Sequence, residues 1–171
     1  MFMYCEGLTE IDLSTFDLRK EQSTNAMFSN CKKLENVIIP TDRFTSTTLT
    51  DTQYMFDGCE NLRGVQQDDG GYLLDLRGLI NNASPNYMFR GCKSLQALDM
   101  STWTINTGFN MIETFAYCEN LETIYAGKNW SEARNTSGSL TFANCFKLVG
   151  ASGFAFANNE AADAGSYVYA N

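Results

Sequence analysis

The chain has 171 residues, 44% of them apolar and 19% charged, which is enough for one sizeable core and unlike the composition of a disordered chain. Its formal charge of −8 and pI near 4.4 make nucleic acid and acidic membrane surfaces poor partners. It lacks histidine, the commonest general base and neutral metal ligand, and no apolar run reaches the length of a membrane span.

From the first residue a motif repeats. The copies read MFMYCEGLTEI (1–11), MFSNCKKLENV (27–37), MFDGCENLRGV (55–65), MFRGCKSLQAL (88–98), TFAYCENLETI (114–124) and TFANCFKLVGA (141–151). Successive cysteines are separated by 26, 28, 33, 26 and 27 residues, and all six cysteines lie in the motif. A fixed motif on a period in the twenties marks an array of supersecondary units, each unable to bury its own apolar face. The repeated core is therefore Phe2, Cys5, Leu8; Phe28, Cys31, Leu34; Phe56, Cys59, Leu62; Phe89, Cys92, Leu95; Phe115, Cys118, Leu121; and Phe142, Cys145, Leu148.

Within each copy the Phe, Cys and Leu fall three residues apart, and the spacing predicts one short helical turn ending near the cysteine. After the leucine the pattern alternates. Ile11 and Leu13, or Leu98 and Met100, face one way; Glu10 and Asp12, or Ala97 and Asp99, face the other, as in a half-buried strand. Stacked copies would place these strands about 4.8 Å apart in a parallel sheet. Phe16, Phe44, Trp103 and Trp130, in the polar return of each unit, are expected to form a second internal stack.

The third unit is stretched by an insertion at 66–86, whose YLLDLRGL reads as a bulged or extra strand. The array is expected to span residues 1–153, with a C-terminal cap or tail at 154–171, where the repeat decays into Gly, Ala and Asn. Met1 and Phe2 already occupy the Met-Phe position of a unit, so the chain is expected to be a piece of a longer array.

The stretches MFMYCEGLTEIDLSTF (1–16) and MFRGCKSLQALDMSTW (88–103) resemble the BspA-like leucine-rich repeats of bacterial surface proteins and mycoplasma lipoproteins. The likeness covers roughly residues 1–153. It departs from the pattern in VIIPTDRF (37–44), in the insertion, and at Ala151. The resemblance implies an α/β repeat solenoid: a right-handed coil of leucine-rich-repeat type, with a short parallel sheet on one face and short helical turns on the other. It also implies an extracellular or cell-surface setting, adhesion or protein binding, and no catalytic residues.

The cysteines are equivalent positions in successive units, so no pairing is favoured, and the clustered pairs of a zinc site are missing. They are expected to be small buried apolar groups, unpaired and slow to label. Asp68, Asp69 and Asp75 lack the alternating oxygen ligands of a calcium loop, so no metal and no cofactor is expected. Serines and threonines have no base to activate them, and the sequons at Asn82, Asn129 and Asn135 matter only in a eukaryotic secretory host.

Function is therefore sought on the outward strand face: Glu10, Asp12, Asn36, Ile38, Gln66, Asp99, Glu122, Thr123 and Tyr125. The expected role is a non-catalytic scaffold for adhesion or protein interaction, with a protein partner, no nucleic acid and no membrane insertion. Charge reversal at Asp12, Asp99 and Glu122 is expected to weaken binding without changing the melting temperature. The alternative is a carbohydrate-binding module using exposed Tyr54, Tyr125 or Trp130 as stacking platforms.

Overall fold

A computed structural model of the chain describes residues 1–18, 21–40, 49–79, 84–103, 110–126 and 140–148. The strands are β1 (Glu10–Asp12), β2 (Asn36–Ile38), β3 (Val65–Gln66), β4 (Tyr72–Asp75), β5 (Ala97–Met100) and β6 (Thr123–Ala126). They form two small sheets, β1-β2 and β3-β4-β5-β6. The pairs β1-β2, β4-β5 and β5-β6 are parallel, whereas β3 runs antiparallel to β4. Inward side chains stand in register: Ile11 beside Val37, and Leu74 beside Leu98 and Ile124.

The core is built in columns. Phe2, Phe28, Phe56, Phe89, Phe115 and Phe142 stack face to face, with consecutive ring centroids 5.5, 5.5, 5.6, 5.5 and 5.4 Å apart and planes within 14°. All but Phe2 are buried, as are the cysteines and leucines of the second to sixth copies; Phe2, Cys5 and Leu8 are half-buried. Ahead of the ring column, Met27, Met55 and Met88 give way to Thr114 and Thr141. Those two hydroxyls donate to the Pro85 and Met111 carbonyls, so their burial leaves no orphan. Outside, the residue after each of the first five cysteines alternates in sign, Glu6, Lys32, Glu60, Lys93, Glu119, and Phe146 follows the sixth. Glu60 pairs with Lys32 at 3.6 Å and Lys93 at 3.0 Å, which favours this order of neighbours.

The expectation of an α/β solenoid of leucine-rich-repeat type, with helical turns opposite a single parallel sheet, is overturned. Among the described residues the one helical element is a 3-10 turn, Leu13–Thr15, and the strands belong to two sheets, one containing an antiparallel pair. The reason lies in the backbone of the motif. Ala26, Phe28 and Asn30 donate their N–H groups to Gln53, Met55 and Asp57 of the next copy, at 2.9, 2.9 and 2.7 Å. The intervening Met27, Ser29 and Cys31 donate three residues back, to Thr24, Ala26 and Phe28. An α-helix needs each N–H to reach four residues back along its own chain, and here every second donor points to a neighbour instead.

Left-handed residues make this alternation possible. They stand two before and two after the phenylalanine: Ala26 and Asn30, Tyr54 and Gly58, Tyr87 and Gly91, Glu113 and Tyr117, Leu140 and Asn144, with Tyr4 after Phe2. That conformation costs a non-glycine residue about 1–2 kcal/mol, so it persists only where the bonds between copies hold it. The three-residue spacing that suggested a helix is the spacing of consecutive hydrogen-bonded turns.

The insertion causes the second departure. Gly64 has φ +85°, and a Cβ there would lie 2.1 Å from the Leu73 carbonyl oxygen. The chain turns outward at this glycine, and Val65, at the position that Ile11 and Leu98 hold in their copies, is 55% exposed in β3. After the turn at 67–71, β4 takes the place beside β5, and Leu74 fills the inward position left by Val65. Because β2 and β4 are not paired, the strand layer splits at this point.

Trp103 is buried with its indole N–H on the Leu76 carbonyl at 3.2 Å, and Phe16 packs edge-on against Phe2. Phe44 and Trp130 lie outside the described residues, as do the 154–171 tail, Ala151 and all three sequons.

The ring column makes a graded stability prediction. Phe89→Ala, in the middle, is expected to cost about 3–5 kcal/mol in urea unfolding. Phe2→Ala, at the half-buried end, is expected to cost less than half as much.

Candidate functional site

The thiols come first because they looked most like chemistry. Cys31, Cys59, Cys92, Cys118 and Cys145 donate to the carbonyls of Phe2, Phe28, Phe56, Phe89 and Phe115 at 2.9–3.2 Å. All six cysteines are free, and Cys5 is half-buried. Burial pushes the Cys31, Cys59, Cys92 and Cys118 thiols up, and Cys145 up to about 12. A thiol held protonated is a poor nucleophile. Each acts instead as a donor tying one copy to the one before.

The expected face residues fall on both sheets. Glu10 and Asp12 lie opposite Asn36 and Ile38; Asp99 lies opposite Tyr125. Thr123 is beside Ala97, and Glu122 pairs with Lys147 at 3.6 Å. Gln66 sits on the antiparallel β3, opposite Tyr72, so it is separated from the row that Asp75, Asp99 and Tyr125 share. Exposed apolar side chains punctuate the face: Ile38 at 42% and Tyr125 at 43%.

Two of these acids also hold the backbone. Asp12 accepts from the Ser14 N–H at 2.8 Å and Asp99 from the Ser101 N–H at 3.0 Å; Asp75 does the same for Arg77. Arg77 grips Asp75 through two nitrogens and reaches Asp99 at 3.4 Å. The Arg77 guanidinium holds the Asp75 carboxyl below the usual carboxylate range. Charge reversal at Asp12 or Asp99 therefore removes a turn bond worth about 0.5–1.5 kcal/mol, and the expectation of an unchanged melting temperature is revised for both.

A feature not anticipated from the sequence lies where the strand layer splits. Glu35, Asn61, Arg63, Tyr72, Ser94, Gln96 and Asn120 line a recess of about 340 Å³. Arg63 forms an ion pair with Glu35 and lies over the Tyr72 ring at 4.5 Å. The Gln96 side-chain oxygen accepts from the Tyr72 N–H at 3.1 Å, and the Asn120 amide donates to the Lys93 carbonyl at 2.8 Å. Asn61, Ser94 and Asn120 precede the motif leucine, and Glu35, Arg63 and Gln96 follow it. Aligning the copies column by column would have brought these polar pairs to notice. The recess itself exists because the hairpin carries Tyr72 to its edge.

Of the proposed stacking platforms, the two described ones, Tyr54 and Tyr125, lie apart. Tyr54 stacks on Tyr87 at 4.7 Å, with Arg90 over both rings, on the turn side of the molecule. Arg90 in turn pairs with Asp57 and Glu113. Tyr125 is on β6, and Trp130 is outside the described residues. In the insertion Asp69 caps its own turn through the Gly71 N–H, and among the described residues no three acidic or cysteine side chains are grouped to hold a metal ion.

A family model described as "Mycoplasma protein of unknown function, DUF285" matches residues 1–68 and 81–160. The chain belongs to that family. The two matched segments lie on either side of 69–80, which contain the end of the turn and β4. No curated protein and no solved structure matches the chain. Among the described residues no helix is long and apolar enough to cross a membrane.

Two thiol experiments test the reading of the cysteines. Under native conditions at neutral pH an alkylating reagent is expected to modify Cys5 first and the five buried thiols slowly, and all six rapidly in guanidinium; three disulfides by mass spectrometry would overturn this. A raised thiol value stabilises the fold fully below the unfolded value, here 9.0, and the contribution is lost as pH climbs toward the folded value of about 12 for Cys145. The melting temperature is therefore expected to fall from about pH 9 upward, less steeply in a Cys145→Ala variant.

Proposed function

We propose that the protein is a non-catalytic interaction module of a secreted or surface-anchored protein, holding a protein partner against its strand face. The observation that carries this reading is the placing of exposed Ile38 and Tyr125 opposite the acids Asp12 and Asp99 on paired strands. Aromatic and aliphatic anchors ringed by polar groups are what protein interfaces use. The carboxylates support a binding role over catalysis: Asp57, Asp75, Asp99, Glu35 and Glu60 are committed to arginine or lysine partners. The resemblance of residues 1–16 and 88–103 to BspA-like repeats supports a surface setting and adhesion.

The face is tested at residues that hold no turn. Ile38→Glu with Tyr125→Ser is expected to leave the chain folded with a lowered melting temperature, because both side chains are only partly exposed and the new carboxylate faces Asp12 across the strands. Binding to immobilised extracellular-matrix and epithelial surface proteins, measured by surface plasmon resonance, is expected to weaken about tenfold or more. Unchanged binding in the double variant, or no binding by the parent chain, sinks the reading.

A further inference from the structure

The recess at the split in the strand layer is built differently from the strand face, and its chemistry narrows what it takes. Among the described residues its one positive group, Arg63, is paired with Glu35, and one face of the Tyr72 ring is covered by the same guanidinium. An anion entering the recess would meet the Glu35 carboxylate beside Arg63, and a cation would meet Arg63 beside Glu35, so the pair favours neither charge. Among the described residues no apolar side chain but Tyr72 lines it, so an aliphatic ligand would bury little against them.

What remains is a set of neutral, uncommitted hydrogen-bonding groups. The side chains of Asn61 and Ser94 bond to no other described residue. Gln96 uses its oxygen on the Tyr72 N–H and keeps its NH₂ group; Asn120 uses its NH₂ on the Lys93 carbonyl and keeps its oxygen. Both donors and acceptors are thus left free in a cavity of about 340 Å³, near the small end of ligand sites. A hydroxyl both donates and accepts, so a ring carrying several hydroxyls can satisfy such a lining without net charge. A peptide amide offers one donor and one acceptor and would leave part of the lining unbonded.

We propose that this recess, lined by Asn61, Arg63, Tyr72, Ser94, Gln96 and Asn120, is a binding subsite for a neutral sugar residue. It goes beyond the protein-binding face: its residues are different, and it would give the module a glycan contact beside a protein contact.

The test uses the full chain labelled with nitrogen-15, titrated with glucose, galactose, mannose and N-acetylglucosamine, and in parallel with glucuronic acid, glucosamine and N-acetylglycine methylamide. At least one neutral sugar is expected to shift the amides of Arg63, Tyr72 and Gln96, with a dissociation constant on the order of millimolar. Asn61→Trp fills the recess from an exposed position whose side chain bonds to no other described residue, so the fold is expected to be retained. It is expected to weaken the sugar at least tenfold, whereas Ile38→Glu with Tyr125→Ser leaves sugar binding unchanged. The proposal is overturned if no neutral sugar shifts these amides, if Asn61→Trp binds as the parent does, or if a charged sugar or the peptide amide binds there more tightly.

Discussion

One short contact repeats through the molecule and everything else is arranged around it. The carbonyl of each motif phenylalanine, from the first copy to the fifth, accepts from the cysteine N–H three residues on and from the cysteine thiol of the next copy. The same residues stack their rings at about 5.5 Å, so one residue per copy carries apolar contact and polar satisfaction together. Alanine in place of cysteine would be small enough for the site but would lack the donor. This is the physical reason for a cysteine that is neither bridged nor reactive.

That constraint propagates outward. Bonds between copies occupy alternate backbone donors, the left-handed residues on either side of the phenylalanine are held in place, and a helix is excluded. With the turn side pinned, the strand side can vary. The third copy uses this latitude: Gly64 turns the chain out, Leu74 replaces Val65 in the core, and Phe56 keeps its place in the ring column. The split between β2 and β4 and the polar recess beside it are consequences of an insertion tolerated at the strands because the turns carry the register.

The strand face shows how structure and recognition share residues. Asp12 and Asp99 looked like free surface acids, yet each caps the turn that follows its strand. Ile38 and Tyr125 carry no such duty, which separates surface from scaffold on the same strands. The sequence pattern marks all four as outward and says nothing of this division, because a capping bond depends on the backbone two residues further on.

Read alone, the sequence determined the repeat, the residues shared by its copies and the alternation of the strands, since burial imposes a period that survives in any register. It determined the free thiols' positions but not their donor role. Only the tertiary structure decided that a three-residue spacing makes turns instead of helix, because backbone donors are shared between copies far apart in sequence. It also decided that β3 leaves the parallel order and that Glu35, Asn61, Arg63, Tyr72, Ser94, Gln96 and Asn120 meet around one cavity. Those residues come from four copies and a hairpin, and no local pattern records which of them become neighbours.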